Sequence, residues 1–158
     1  MNVPDYELTL RQAAALADDS LPFWSNLANI SALIMEAFDG LNWAGFYLMS
    51  GGILVLGPFQ GKPACTKIPL DKGVCGYAAS AGKTVNVPDV HEFPGHIACD
   101  CASQSEIVVP LISGDTLYGV LDIDAPVKDR FSPGDQEFFE HLVNQVIMPF
   151  LKREEVKA

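Results

Sequence analysis

The sequence predicts an α+β fold, in which helices pack on an antiparallel β-sheet. Two observations lead to this prediction: helical periodicity at both ends of the chain, and paired β-prone runs joined by short turns between them. The 158 residues contain no repeat, low-complexity tract or long linker. We therefore expect residues 1–158 to form one domain, with its core at about residues 6–150.

Two helices are predicted before the first strand. Residues 6–17 (YELTLRQAAALA) combine helix-forming composition with apolar positions at helical spacing. A second helix should run from about Pro22 to Phe38, with Ser20 as its N-cap, and end at Asp39-Gly40. Its apolar stripe consists of Phe23, Leu27, Ile30 and Ile34.

The next segment changes from helical to β-type periodicity. The runs WAGFYLM (43–49) and ILVLGPF (53–59) predict a hairpin around Ser50-Gly51-Gly52, and a third strand is expected at about Cys65–Pro69. A short helix from about Gly73 to Ala81 should stop at Gly82, since glycine favours the left-handed cap. The run TVNVP (84–88) predicts another strand.

The last part of the chain predicts a hairpin followed by a closing helix. The runs EIVVPLI (106–112) and TLYGVLDID (116–124) flank a turn at Ser113-Gly114-Asp115. In the closing helix, Ser132 is the predicted N-cap, Pro133 the first residue and Asp135 the capping-box partner. Its predicted buried stripe comprises Phe138, Phe139, Leu142, Val146 and Ile147.

Composition and charge exclude some classes of function. The formal net charge of −10, with scattered basic residues, argues against a nucleic-acid partner, which would require clustered Lys and Arg. No window approaches the roughly 18 apolar residues of a membrane span, and the N-terminus lacks the pattern of a secretory signal. We therefore expect a cytoplasmic protein, in which any disulfide is transient and catalytic.

The segment from about Pro88 to Ser105 interrupts the regular pattern. An irregular stretch of this length is uncommon in a compact domain and is typical of a binding loop or lid. It carries two histidines, two cysteines and two aspartates. This segment is therefore the first place to look for chemistry.

The four cysteines, Cys65, Cys75, Cys99 and Cys101, lack the paired spacing of a structural zinc site, so no metal is expected. A mixed site of Cys99, Cys101, His91 and His96 remains the alternative. In its glycine-rich helix, Cys75 fits the role of a small buried hydrophobic residue. Cys99 lies in a polar loop that offers little reason for burial, which favours a chemical role.

Three carboxylates form a second candidate cluster. Asp122 and Asp124 are two apart on an otherwise apolar strand, so their side chains share one face of the sheet. Glu106 begins the partner strand, seven residues after Cys99. Such acids must be paired, hydrogen-bonded or placed at a pocket, unless they lie at strand ends and face water.

A thiol beside a pocket of carboxylates fits one kind of substrate. Acidic groups attract an ammonium group, so a zwitterionic or cationic small molecule is the natural ligand. Neighbouring carboxylates also raise one another's pKa, so that one of them can hold a proton near neutral pH. Reduction of a sulfoxide by a thiolate requires such a proton, because the oxygen finally leaves as water.

Six stretches of the chain then show a family resemblance. They are NWAGFYL (42–48), GPFQGKPAC (57–65), KGVCG (72–76), PGHIACD (94–100), SEIVVP (105–110) and GVLDID (119–124). In this order, and from about Tyr6 to Phe150, they resemble the free methionine-R-sulfoxide reductases, which are GAF-domain enzymes. The resemblance implies a GAF fold, a cytosolic homodimer, free methionine-R-sulfoxide as the substrate, no resident cofactor, and recycling by thioredoxin.

The resemblance also implies roles for individual residues. Cys99 resembles the catalytic nucleophile, and Cys65 resembles the resolving cysteine that forms a disulfide with it. Cys75 matches a third, auxiliary family cysteine. The acids that surround the sulfoxide and amino groups of the substrate correspond to Glu106, Asp122 and Asp124, and the pocket-lining aromatics to Trp43 and Tyr47.

Some alternatives stay open. Cys101 departs from the family pattern and lies close enough to Cys99 to compete as a resolving thiol, although a disulfide between them would be strained. Trp43 and Tyr47 are also compatible with an ordinary core. Because a fold does not fix a function, a ligand-binding module and a redox sensor are the rival hypotheses.

Overall fold

A computed structural model describes residues 2–95 and 102–157, with side chains only to residue 154 in the last helix. The described chain forms a six-stranded antiparallel sheet with the order β3-β2-β1-β6-β5-β4. Its strands are β1 (Trp43–Ser50), β2 (Ile53–Gly61), β3 (Lys67–Ile68), β4 (Val85–Val87), β5 (Ser105–Ser113) and β6 (Thr116–Ala125). Both predicted hairpins, β1–β2 and β5–β6, are confirmed.

Helices cover both faces of this sheet. They are α1 (Tyr6–Leu16), α2 (Phe23–Ala37), α3 (Gly73–Ala81), α4 (Pro133–Leu142) and α5 (Met148–Lys157). A π-helical segment, Val143–Ile147, joins α4 to α5, and the buried residues of the predicted closing stripe lie on both sides of the α4 boundary. The predicted α+β architecture is therefore confirmed, although the π-helical register was not predicted.

The alternation of side chains along the strands divides the interior into two cores. On one face, Phe46, Leu121 and Ile123 pack with residues of α2 and α4, such as Leu27 and Phe139. On the other face, Trp43, Tyr47, Val108 and Val120 pack against Val74 and Ala78 of α3. We refer to this second side, covered by α3, as the α3 face. It carries the candidate site.

The start of α2 differs from its prediction. Ser20 does not cap the helix, because its hydroxyl donates to Asp18 Oδ1 at 2.6 Å and the N-cap position is Pro22, without a side-chain bond. Instead, the Asn26 amide exchanges two hydrogen bonds of 3.0 Å with the backbone of Asp18. A side chain inside the helix thus fixes the preceding turn.

The segment between β4 and β5 is partly regular. A short 3₁₀ turn, Val90–Glu92, follows Asp89, whose side chain accepts a hydrogen bond from the His91 backbone. The buried Val90 anchors this turn on the α3 face. Among the residues that the structure describes, no helix has the length and apolar character needed to cross a membrane.

The capping box of α4 provides a test of local helix stabilisation. The Ser132 hydroxyl accepts from the Asp135 amide at 3.1 Å, and Asp135 Oδ2 accepts from the Ser132 amide at 3.0 Å. Replacing Ser132 with Ala should lower the free energy of unfolding by about 1 kcal/mol, because one buried amide loses its partner. Urea unfolding measures this difference.

Ser20→Ala is the matched control for that experiment. Its hydroxyl bonds only to an exposed neighbour in the described contacts, so the change should stay within about 0.5 kcal/mol. An equal loss in the two variants would contradict the assignment of the caps.

Candidate active site

The register of the central strands brings the three predicted carboxylates together. Glu106 on β5 lies opposite Asp124 on β6, and Asp122 lies opposite Val108 on the same face. The three side chains are 7%, 5% and 9% exposed, respectively. The prediction that Asp122 and Asp124 share one face is confirmed, and the alternative of strand ends that face water is wrong, because these two side chains and that of Glu106 are buried.

Cys75 completes this cluster from above the sheet. The first turn of α3 places its thiol over β5, where Sγ donates to Glu106 Oε2 at 3.9 Å. The helix comes this close to the preceding loop because Gly76 has no side chain: a Cβ there would lie 2.6 Å from the Pro69 carbonyl oxygen. Cys75 is buried as predicted, but it contacts a carboxylate instead of only apolar groups.

Burial and mutual repulsion raise the pKa of three groups in this cluster, Glu106, Asp122 and Cys75. Burial raises the pKa of the Glu106 carboxyl well above its ordinary range, and the charges of Asp122 and Asp124 raise it further. Burial also raises the pKa of Asp122, although hydrogen bonds from Glu106 and Cys75 oppose this change. The pKa of the Cys75 thiol is raised by burial and then by the neighbouring carboxylates. A negative charge on one of these groups therefore disfavours a second negative charge on its neighbours.

One carboxylate oxygen of this cluster has no hydrogen-bond partner among the described residues. This oxygen is Asp122 Oδ1, which is buried. Leaving a buried carboxylate oxygen without a partner is unfavourable by about 1–3 kcal/mol. Such an atom is expected where a ligand supplies the missing donor.

Aromatic side chains line the same face next to the acids. The Trp43 ring stacks with Tyr47, at a centroid distance of 5.8 Å, and with Phe59, at 5.1 Å. Phe59 was not predicted as part of the site. It can pack there because its strand neighbour, Gly45, has no side chain, and a Cβ at Gly45 would lie 2.3 Å from Phe59 Cβ. Gly45 in WAGF is visible in the sequence, but its pairing with Phe59 is visible only in the assembled sheet.

The two predicted aromatics also bind the loop that follows β2. Trp43 Nε1 donates to the Lys62 carbonyl at 3.1 Å, and the Tyr47 hydroxyl donates to the Cys65 carbonyl at 3.0 Å. Burial, with the charge of Asp122 next, raises the pKa of Tyr47, so the hydroxyl remains a donor. These bonds hold Cys65 next to the site.

The cysteines differ in their bonding state. Cys65 is disulfide-bonded, whereas Cys75 is a free thiol. Cys99, Cys101 and His96, which belong to the predicted nucleophile segment and to the alternative metal site, lie outside the described residues. His91 lies on the surface and contacts Asp89 Oδ1 at 3.2 Å.

The comparisons with known proteins agree with this arrangement. Residues 24–148 match the GAF domain family. The chain is 48% identical, over 147 residues, to the free methionine-R-sulfoxide reductase of Escherichia coli, and the match covers 92% of this chain and 89% of that protein. The chain belongs to the free methionine-R-sulfoxide reductase family. The resemblance of the six motifs is thereby confirmed.

Two solved members of this reductase family have the same fold. The fRMsr of Staphylococcus aureus in complex with substrate is 50% identical, with a TM-score of 0.89 over 96% of this chain and 98% of that one. The free methionine-R-sulfoxide reductase of Neisseria meningitidis, in complex with its substrate, is 40% identical, with a TM-score of 0.90 over 97% and 92% of the two chains. The predicted GAF fold is confirmed.

The electrostatics of this reductase-family site predict a gain in stability when Glu106 is made neutral. The carboxyl has an ordinary pKa of 4.5, and the fold raises it. The bound proton of Glu106 therefore makes its full contribution to the free energy of unfolding when the pH is below that ordinary pKa. The contribution is lost as the pH rises towards the pKa of Glu106 in the folded protein. Glu106→Gln should unfold at higher urea concentration than the parent, by about 1 kcal/mol or more at about pH 8.

The difference in stability between Glu106→Gln and the parent should shrink towards about pH 4, where the side chain at position 106 is neutral in both proteins. Glu92→Gln, at an exposed position, is the control and should show no comparable pH-dependent gain. If the parent is as stable as the Glu106→Gln variant at about pH 8, the charged Glu106 carboxylate does not destabilise the fold and the prediction is wrong.

Proposed function

We propose that this protein reduces free L-methionine (R)-S-oxide to methionine by a thiol cycle. The observation that carries the proposal is the buried cluster of Glu106, Asp122 and Asp124 beside the aromatic rings of Trp43 and Tyr47. Two relatives of the same family are described in complex with substrate, which supports the same assignment for this site.

The cluster fits both ends of this substrate. In the proposal, Asp122 Oδ1 accepts a hydrogen bond from the substrate ammonium, which supplies a partner that this oxygen does not find among the described residues. The methyl-thioether end packs on Trp43, whose orientation is fixed by stacking with Tyr47 and Phe59. The positive charge of the ligand offsets the repulsion among the acids.

Glu106 is the proposed acid of the reaction. Because burial and its charged neighbours raise its pKa, it carries a proton at neutral pH. As the Cys99 sulfur attacks the sulfoxide sulfur, this proton passes to the sulfoxide oxygen. A bond forms between the two sulfurs while the sulfur–oxygen bond of the substrate breaks, and the oxygen, with a second proton from solvent, leaves as water. A water molecule then attacks the Cys99 sulfur and loses a proton, the sulfur–sulfur bond breaks with its electron pair passing to methionine, and Cys99 becomes a sulfenic acid.

Cys65 is the proposed resolving thiol. Its sulfur displaces the hydroxyl of the Cys99 sulfenic acid, so that water leaves and a disulfide forms. The disulfide-bonded state of Cys65, with Cys75 free, supports this choice over Cys75. The bond from Tyr47 to the Cys65 carbonyl makes Tyr47 a positioning residue for this step. Cys101 is a competing thiol in the same segment.

The reductant and the setting complete the proposal. An external dithiol protein of the thioredoxin type reduces the disulfide by exchange, so the two electrons come from its thiols and both enzyme cysteines are restored. The proposed compartment is the cytoplasm, where thiols are kept reduced. We also propose a homodimer, as the family resemblance implies.

The cysteine roles can be tested by turnover with dithiothreitol as reductant. The parent should convert free methionine-R-sulfoxide continuously, and Cys99→Ser should lose activity by a factor of about 1,000 or more, because the attacking sulfur is gone. Cys65→Ser, without added reductant, should release one methionine per chain and hold a sulfenic acid. Mass spectrometry of the products and of the trapped cysteine measures both.

Two results would overturn these roles. Undiminished turnover by Cys99→Ser would transfer the attack to another cysteine. Absence of turnover in the parent, with a disulfide that forms under oxidant alone, would favour the redox sensor. Cys101→Ser is the matched control and should retain turnover.

The proposed ammonium contact predicts selectivity for the free amino acid. N-acetylmethionine-R-sulfoxide should show a kcat/KM at least about 100-fold lower, because the buried acids lose their charged partner. In Asp122→Asn this preference should narrow, since the acceptor for the ammonium is weakened. An unchanged preference in the folded variant would place the ammonium elsewhere.

A further inference from the structure

Three potential metal ligands meet at one point on the α3 face. The Sγ atom of Cys75 and one carboxylate oxygen each of Glu106 and Asp122 all lie within 4.8 Å of one another. The separation of Cys75 Sγ from Glu106 Oε2 is 3.9 Å. All three side chains are buried, so their positions are set by the packing of α3 on the sheet.

The separation of Cys75 Sγ from Glu106 Oε2 is close to the edge of a tetrahedral metal site. With metal–sulfur and metal–oxygen bonds of about 2.3 and 2.1 Å, a tetrahedral arrangement places sulfur and oxygen about 3.6 Å apart. The sulfur and oxygen of Cys75 and Glu106 need to approach by only a few tenths of an ångström to reach this value. Three protein ligands leave a fourth position open, as in zinc sites that exchange their ligands.

The unpartnered Asp122 oxygen is an independent sign of a ligand. Asp122 Oδ1 is buried without a hydrogen-bond partner among the described residues, and the carboxylate group that carries it lies beside Glu106 and Cys75. Among the described ion pairs, none joins a basic side chain to Glu106 or Asp122. A bound cation would supply the missing partner and the missing positive charge.

We propose that Cys75, Glu106 and Asp122 bind a divalent cation of the zinc class, which inhibits the enzyme by competing with its substrate. One thiolate with two carboxylates suits Zn²⁺ or Cd²⁺, whereas Ca²⁺ and Mg²⁺ require more oxygen ligands. The inhibition rests on the proposed function, because the same oxygens would bind the substrate ammonium and supply the proton. The binding of the cation does not depend on that function.

Cadmium binding tests the site without an activity assay. In the Cys99→Ser/Cys101→Ser protein, only Cys65 and Cys75 remain as thiols. Titration with Cd²⁺ should give one equivalent of binding and a thiolate-to-metal absorption band in the near ultraviolet. Adding Cys75→Ser should remove the band, whereas adding Cys65→Ser should retain it. A band that survives in the Cys75→Ser protein would overturn the assignment.

The carboxylate ligands can be tested by calorimetry in the same background. Glu106→Gln should weaken Cd²⁺ binding by a factor of about 10 or more, and the exposed Glu92→Gln should leave it unchanged. Cd²⁺ should also raise the melting temperature of the background protein, and this rise should disappear with Glu106→Gln. Equal affinities in the two variants would overturn the site. Because Cys75 is buried, Cys75→Ala provides a second variant if the serine form does not fold.

Turnover assays on the parent enzyme test whether the cation competes with the substrate. Zn²⁺ should inhibit turnover, and the apparent inhibition constant should rise in proportion to methionine-R-sulfoxide concentration. Inhibition that saturating substrate does not relieve would overturn the competition. A parent without turnover would refute the proposed function alone, since the cadmium band would still report on the site.

Discussion

The register of β6 between β1 and β5 is the constraint on which the site depends. It places Asp122 and Asp124 on the α3 face of a central strand, and Glu106 directly across from Asp124. On this face α3 and the 3₁₀ turn after β4 pack over the strands, so the carboxylates are buried and the fold accepts their desolvation. A shift of one residue would turn both aspartates into the apolar core on the other face. The hydrophobic alternation that builds that core therefore also aligns the acids.

The face of the sheet opposite the α3 face carries the larger apolar core and offsets the cost of burying the acids. There the sheet packs under four helices, and Phe38 stacks on Phe139 with ring centroids 4.8 Å apart in a continuous apolar core. On the α3 face, the described residues place α3 and the 3₁₀ turn Val90–Glu92 over the strands, and part of the buried volume goes to acids that repel one another. The acidic cluster and the larger apolar core therefore lie on opposite faces of the sheet. This division lets the site remain strained without unfolding the domain.

Sequence patterns predicted what depends on periodicity and local hydrogen bonding. The alternation in LDID placed Asp122 and Asp124 on one face, and the motif at Ser132 predicted its capping box. Contacts between distant segments were harder to predict. Ser20 matched an N-cap position, but the Asn26 side chain takes over that turn. Phe59 joins the site through a gap left by Gly45 on another strand, and only the assembled sheet shows such a gap.

Cys75 shows why the family resemblance and the geometry are both needed. Taken by its neighbours in sequence, it is a small residue in a glycine-rich helix, and its burial agrees with that reading. Its environment adds a chemical reason to exclude it as the attacking sulfur. Burial and the adjacent carboxylates raise its pKa, so the thiol stays protonated, and a protonated thiol is a weak nucleophile.

The same carboxylates that would activate a sulfoxide therefore keep the neighbouring Cys75 thiol from ionising. An enzyme with this cluster has to bring its nucleophile from a segment outside the cluster, where a sulfur can ionise before it meets the substrate. Cys99, which we propose as the attacking sulfur, belongs to the segment that precedes β5 and so comes from outside the cluster. In the proposed mechanism the substrate is the group that joins this sulfur to the acids.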